Sequence, residues 1–415
     1  MDRRRVRSIF TSQFSFYHRN MILIVGIVLA VAATATLSFF QFSRSQKIRS
    51  PRVQSTRSSC HIPAIFNFGD SNSDTGSSSA AFARVRPPNG MTFFGKPSGR
   101  VSDGRLIIDF IAEKLGLPYL SAFLDSIGTN FTHGANFAVG GATIQQSNAK
   151  MFGVGFSPLS LDKQLSQFEQ LRMRSAEFSE QAKDKDVKCK LLPEEDEFSR
   201  GLYTMDMGQN DLHYLLTSMT EEEAKKSISS VIDQFAVAVE KLHELGARAF
   251  WIHNTGPIGC LPFLALVESP AKPKDQNGCV KAYNNMAQEF NRQLKERVYK
   301  LRHHLQNSTI TYIDIYSAKY DLISNATDYG FRNPLGYCCG KINVLTCWAD
   351  MTVNGTKVFA DSCNNPSEYI SWDGIHYTEA ANKWVANHIA DGLYSDPQIS
   401  IIGACDLSYN SQNKT

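Results

Sequence analysis

The sequence predicts an α/β fold with a central parallel sheet. Three observations predict it. Short apolar runs of strand length recur at 64–68, 201–207, 247–253 and 309–315. Longer stretches with one apolar face lie between and beyond them, at 106–115, 221–245, 280–305 and 378–393. Glycines punctuate the changes of pattern, at Gly69, Gly116, Gly208 and Gly246. Strands alternating with helices imply a parallel sheet covered on both faces. In such sheets, sites form at the carboxyl ends of strands.

The elements follow in order. Ala64, Ile65, Phe66, Asn67 and Phe68 read as a buried strand, and Gly69-Asp70-Ser71-Asn72 as the turn that ends it. Ser102 and Asp103 supply cap residues before the helix at 106–115, and Gly116 stops it. The run at 201–207 reads as a second strand ending at Gly208-Gln209-Asn210-Asp211. An amphipathic helix at 221–245 is stopped by Gly246, and a third strand follows at 247–253. The helix at 280–305 leads to a fourth strand at 309–315, and a helix at 378–393 closes the body. The chain has 415 residues, 42% hydrophobic and 20% charged, which is ordinary for a globular protein with a large core. No internal repeat or low-complexity linker divides the body, so one large domain is expected.

Charge is unevenly spread. Ten Lys/Arg against Asp2 in residues 1–57 carry +9, so a chain of net +3 leaves a body of −6. A mildly acidic body argues against nucleic acid as a partner. The basic residues flank an uncharged run at 21–40, MILIVGIVLAVAATATLSFF, which as a helix is long enough to cross a bilayer. It reads as an uncleaved type II signal anchor or as a signal peptide cut after Ala33-Thr34-Ala35; the long basic segment before it favours the anchor. The expected organisation is a basic cytosolic tail at 1–20, the anchor or signal peptide at 21–41, a flexible stem at 42–59, the large domain at 60–405 and a tail at 406–415.

All nine cysteines follow the apolar run, and none forms a paired CxxC zinc pattern. Five N-x-S/T sequons, at Asn130, Asn307, Asn325, Asn354 and Asn413, also follow it. Together they place the body in the secretory pathway: lumenal on a Golgi membrane if the anchor stays, extracellular if it is cut. Reduced, buried cysteines in a cytosolic protein are the bland alternative. An odd count leaves at least one cysteine unpaired or bound to another chain.

Ser71 sits where a strand-end turn can raise a hydroxyl above the sheet, with backbone N–H groups nearby for an oxyanion; a plain turn serine reads the same way. Asp373-Gly374-Ile375-His376 could place a carboxylate and an imidazole in one cleft, the pairing that turns a histidine into a general base. A capping loop is the alternative. The glycine-rich stretch 134–143 and Asn210 could add oxyanion donors, or be a glycine turn and an Asx turn. Asp70, Asp74 and Asp211 are metal-ligand candidates without an accompanying histidine, which ranks metal chemistry last.

Taken together, four segments resemble a known family. The segment 68–76, FGDSNSDTG, is similar to block I of the plant GDSL (SGNH) esterase/lipases. Residues 134–143 resemble their block II, 208–211 (GQND) their block III, and 372–380 (WDGIHYTEA) their block V. The blocks run in the family's order, and 100–105 (RVSDGR) resembles a stretch of the plant branch. The resemblance implies a three-layer α/β/α flavodoxin-like SGNH hydrolase fold and serine ester hydrolysis with no cofactor and no metal. It implies Ser71 as nucleophile, His376 as general base and Asp373 orienting it. The oxyanion hole would be the N–H groups of Ser71 and Gly141 with the side chain of Asn210, Gly140 competing with Gly141 for the role. Ser77 departs from the asparagine common after the DTG of block I. Cys338, Cys339, Cys347 and Cys363 resemble a disulfide-bonded stretch of plant members. The expected partner is an ester: an acetylated glycan, an acyl lipid or a small acyl or phenolic ester. Acyl transfer through the same acyl-enzyme, and a catalytically silent lumenal binding protein, are the competing functions.

Overall fold

The computed structural model describes residues 61–146, 156–183, 191–340, 347, 350–353, 356–359 and 361–404. The apolar run at 21–41, its flanking tail and stem, Cys60, Cys189, Cys405, Asn354 and Asn413 lie outside the described residues. No helix among the described residues is long and apolar enough to cross a membrane.

The chain runs β1 (Ile65–Gly69), α1 (Ser77–Ala81), α2 (Ile107–Lys114), β2 (Gly134–Asn136), α3 (Leu161–Lys183), α4 (Glu195–Arg200) and β3 (Leu202–Asp206). It continues through α5 (Gln209–Ser218), α6 (Glu221–Glu244), β4 (Ala249–His253), α7 (Lys281–His304), β5 (Thr309–Ile313) and α8 (Ile315–Ser324). A hairpin of β6 (Asp350–Val353) and β7 (Thr356–Phe359), then α9 (Glu379–Ala390) and β8 (Ser395–Asp396), complete it. The main sheet has the order β2-β1-β3-β4-β5-β8. Its first five strands are parallel, and β8 pairs antiparallel with β5. The sheet is therefore mixed at one edge, where the sequence predicts only parallel pairing. The fourth strand also ends at Ile313, earlier than expected, because Asp314 caps α8 by accepting from the Ser317 N–H at 3.0 Å.

Alternation along the strands builds two cores. Phe66, Phe68, Tyr203, Met205, Phe250 and Ile252 point to one face and pack under residues of α3, α6 and α7. Ile65, Leu202, Ala249 and Trp251 point to the other and pack under α2, α8 and α9. That gives the three-layer α/β/α arrangement. Leaving the expected helices at 106–115, 221–245, 280–305 and 378–393 slightly trimmed at their ends, the structure adds α3, α5, α8 and the short β2, which the sequence reading had as glycine turn.

Candidate active site

Ser71 stands just past the carboxyl end of β1, in a turn fixed from several sides. Gln164 on α3 clamps Gly69, accepting from its N–H at 3.0 Å and donating to its carbonyl at 2.8 Å. A side chain at Gly69 would meet Ser73 Oγ at 2.2 Å and the Asp206 carbonyl at 3.0 Å, so only glycine lets the turn close. Beyond Ser71, Asn136 on β2 donates to the Ser73 carbonyl at 2.6 Å and Thr75 Oγ1 at 2.9 Å, while Asn67 donates to Asn136 Oδ1 at 2.7 Å.

Three aspartates considered as metal ligands turn out to be backbone clamps. Asp74 accepts from the N–H groups of Gly76, Ser77, Ser78 and Gly140. Asp211 accepts from those of Ile144 and Gln145, and burial pushes its carboxyl up to about 7. Asp70 accepts from the Asn72 N–H and side chain, from Gln209 at 3.1 Å and from Asn210 at 3.2 Å. Among the described residues no group of three His, Cys, Asp or Glu could hold a metal ion.

The second arm is the loop before α9. Asp373 accepts from the N–H groups of Ile375 (2.9 Å) and His376 (2.8 Å) through one oxygen and meets His376 Nδ1 at 2.7 Å through the other. Burial pushes His376 down, but the charge and hydrogen bond of Asp373 outweigh it and hold the imidazole above its ordinary value. For Asp373 burial pushes up, and His376 more than offsets it. His376 Nε2 is buried and, among the described residues, has no hydrogen-bond partner. Disulfides join Cys338 to Cys363 and Cys339 to Cys347, and the Cys338 and Cys339 N–H groups donate to the carbonyls of Ser371 and Trp372, directly ahead of Asp373. A third disulfide joins Cys260 to Cys279.

Both arms open on one cavity of about 840 Å³, which Ser71, Gly140, Gly141, Asn210, Asp373 and His376 all line. The structure separates the two competing glycines. The Gly140 N–H is taken by Asp74 at 2.9 Å and Ser78 Oγ at 2.7 Å. Among the described residues the N–H groups of Ser71 and Gly141 have no partner. The Asn210 amide donates to Asp70 and, at 3.0 Å, to the Ala142 carbonyl. Asn130, Asn307 and Asn325 are exposed, as a glycan acceptor must be.

The family model for GDSL-like lipase/acylhydrolase matches residues 65–389. This chain belongs to that family. It is 51% identical to a GDSL esterase/lipase of Arabidopsis thaliana over 85% of this chain and 91% of that one. It is 49% identical to an esterase of Hevea brasiliensis, covering 83% and 90%. A protein of Arabidopsis thaliana named alpha-L-fucosidase 3 is 48% identical, covering 80% and 91%. As a GDSL hydrolase with such relatives, the chain is a carboxylic ester hydrolase.

Gln209, His213, Glu268 and Lys319 also line the hydrolase's cavity, and the sequence analysis gives them no role. Gln209 stands inside block III and could have been found there. His213, three residues past Asn210 and so on the same helical face, meets Glu268 at 3.0 Å on the cavity wall. Lys319 carries no sequence signal. Beneath Ser71, burial and then Asp206 push Asp70 up to about 7. Asp206 itself is held low despite burial by His253, 3.5 Å away.

Proposed function

We propose that this hydrolase cleaves esters through an acyl-enzyme on Ser71. His376 Nε2 takes the Ser71 proton, and Oγ attacks the ester carbonyl carbon. The oxyanion is met by the N–H groups of Ser71 and Gly141 and by Asn210, whose longer contact, to Asp70, yields to it. Collapse expels the alcohol, which takes the proton from His376. Water, activated by the same nitrogen, then releases the acid. The observation that carries this reading is the idle, buried Nε2 of an aspartate-bound histidine on the cavity that Ser71 lines. Ser71→Ala tests it: kcat falls by roughly 10⁶, with thermal unfolding unchanged because a turn hydroxyl contributes little to stability. Residual hydrolysis near wild type in a folded variant would end the assignment.

For substrate, we propose O-acetyl esters on carbohydrate, removed in the secretory lumen by a membrane-anchored enzyme, ahead of acyl-lipid hydrolysis. The support is the uncharged run at 21–40, the exposed sequons Asn130, Asn307 and Asn325, and three disulfides, which suit an oxidising compartment. Release of acetate from acetylated xylan is compared with hydrolysis of a long-chain triglyceride; preference for the triglyceride overturns this reading. Amino-terminal sequencing that begins at Thr36 would show a cleaved signal peptide and a secreted enzyme.

The fucosidase-named relative favours a second reading, glycoside cleavage. That chemistry calls for two carboxyl groups flanking the scissile bond. The cavity's Asp373 and Glu268 are each bound to a histidine, which places this reading behind ester hydrolysis. Turnover of 4-nitrophenyl α-L-fucoside that survives Ser71→Ala would reverse the order.

A further inference from the structure

Lys319 lies on α8, 6% exposed, and lines the same cavity as Ser71 and His376. Its ammonium stands 4.6 Å from the centre of the Tyr377 ring. Its stem runs past Gly256, where a β-carbon would come within 3.0 Å of Lys319 Cδ, so the glycine keeps the lane open. Among the described residues, the ammonium has no hydrogen bond and no carboxylate within 4.0 Å. Burial pushes the Lys319 ammonium below the usual lysine value, and Asp206 and Asp70 oppose this only from farther away. Asp206 faces His253, and Asp70 already accepts from Asn72, Gln209 and Asn210. A nearly buried cation whose described contact is a ring face still lacks a hydrogen-bond acceptor, and an ammonium has three hydrogens to offer.

The remaining wall limits what that can be. Phe156, Ile258, Leu261, Phe263 and Leu264 make it largely apolar. Its acidic members, Asp373 and Glu268, are each occupied by a histidine. Lys319 is thus the cavity's uncommitted charge.

We propose that Lys319 forms a cationic subsite that takes the carboxylate of an anionic ester, so that the preferred substrates carry one acidic group on an otherwise apolar or aromatic body. The inference rests on the reading that esters are hydrolysed in this cavity. It selects among them by charge, and a free carboxylic acid of the same shape binds there as product or inhibitor.

Two matched pairs of esters test it in wild type, Lys319→Met and Lys319→Arg. One pair places the acid on the acyl side, 4-nitrophenyl hydrogen glutarate against 4-nitrophenyl pentanoate. The other places it on the alcohol side, 4-acetoxybenzoate against 4-acetoxybenzamide. A hydrogen bond to a charged group predicts that Lys319→Met lowers the anionic-to-neutral ratio of kcat/KM about 10- to 100-fold in at least one pair. The change falls in KM, and Lys319→Arg retains most of the ratio. The ratio divides out any loss common to both esters. If both ratios are unchanged while overall activity drops, Lys319 is only a counter-ion for Asp70 and Asp206, and the proposal fails. Calorimetry of benzoate and benzamide reads the subsite without turnover, so it stands even if the ester reading falls. Benzoate should bind wild type at least about tenfold more tightly than benzamide; equal affinities overturn the subsite.

Discussion

The two arms of the proposed active site are held in different ways. The nucleophile arm is fixed from a distance: Gln164, 95 residues from Gly69, reaches in from α3, and Asn136, 63 from Ser73, from β2. The base arm is bonded largely within itself, with long-range ties from the Trp372 indole N–H to Asn89 Oδ1 at 2.9 Å and from the Phe263 N–H to the Gly374 carbonyl at 3.0 Å. Asp373 binds the N–H groups of Ile375 and His376, Ser371 Oγ accepts from the Gly374 N–H at 3.0 Å, and disulfides anchor the strand of chain just ahead. The nucleophile therefore depends chiefly on contacts across the fold, whereas the base depends more on bonds within a cross-linked loop. Catalysis needs both, so the arms should be separable in stability but not in chemistry.

The largest expected effect tests that last statement. His376→Ala should cost as much as Ser71→Ala, roughly 10⁶ in kcat, and the double variant should cost no more than either. Multiplying losses in the double variant would show two independent contributions and would break the triad as a unit.

Asp373→Asn comes next, with a loss of roughly 10⁴ in kcat because the imidazole tautomer is then wrong. It also carries a pH signature. A general base works only when neutral, so kcat/KM falls as pH drops through the His376 titration. In wild type that acidic limb should be centred above the ordinary histidine value of about 6.5, since Asp373 holds the imidazole up against burial. Asparagine removes the charge but leaves the burial, so the midpoint should move to lower pH. A pH profile of kcat/KM in which the midpoint stays put would assign the shift to something other than Asp373.

Asn210→Ala removes one oxyanion donor and should lower kcat by about 10²–10³ with little change in KM. The same substitution frees Asp70 from a hydrogen bond, so a change confined to KM would mark Asn210 as a substrate-positioning group.

The contrast between the arms also explains what the sequence could reveal. The base arm is local: carboxylate, glycine and histidine lie within four residues, but on its own the segment reads equally as a capping loop, and the triad role of Asp373 and His376 comes from the four family blocks taken together. The apolar run and glycine turn place Ser71 at a strand end, where a plain turn serine reads the same way; its role as nucleophile comes from the resemblance to block I, and its clamps carry no signal. Gln164 sits in a helix whose far end is exposed, and β2 is only Gly134, Ala135 and Asn136, with no β-branched residue to announce a strand. The choice between Gly140 and Gly141 had to wait for the partners of the Gly140 N–H, Asp74 and Ser78. Lys319 was the least legible of all. A lysine between Ala318 and Tyr320 reads as a solvated charge until α8 packs against Gly256 and Tyr377.

The smallest effect separates the arms directly. Gln164→Leu leaves the buried Gly69 N–H without its partner and the Gly69 carbonyl with only the Val139 N–H at 3.2 Å, which should cost about 1–3 kcal/mol of stability and lower the unfolding temperature. Hydrogen exchange should then quicken at 69–73 while the amides of Ile375 and His376 keep their protection, because their acceptor is Asp373 within the same loop. Replacing Cys338 and Cys363 together by serine should do the reverse. The amides of 371–376 lose protection, the turn at 69–73 keeps it, and kcat falls only a few-fold because the Asp373–His376 bond needs no disulfide to form. Both variants loosen the site, yet each should loosen a different half. If instead either substitution raises exchange equally in both segments, the two arms share one cooperative unit, and the cross-linked loop has no independent hold on its histidine.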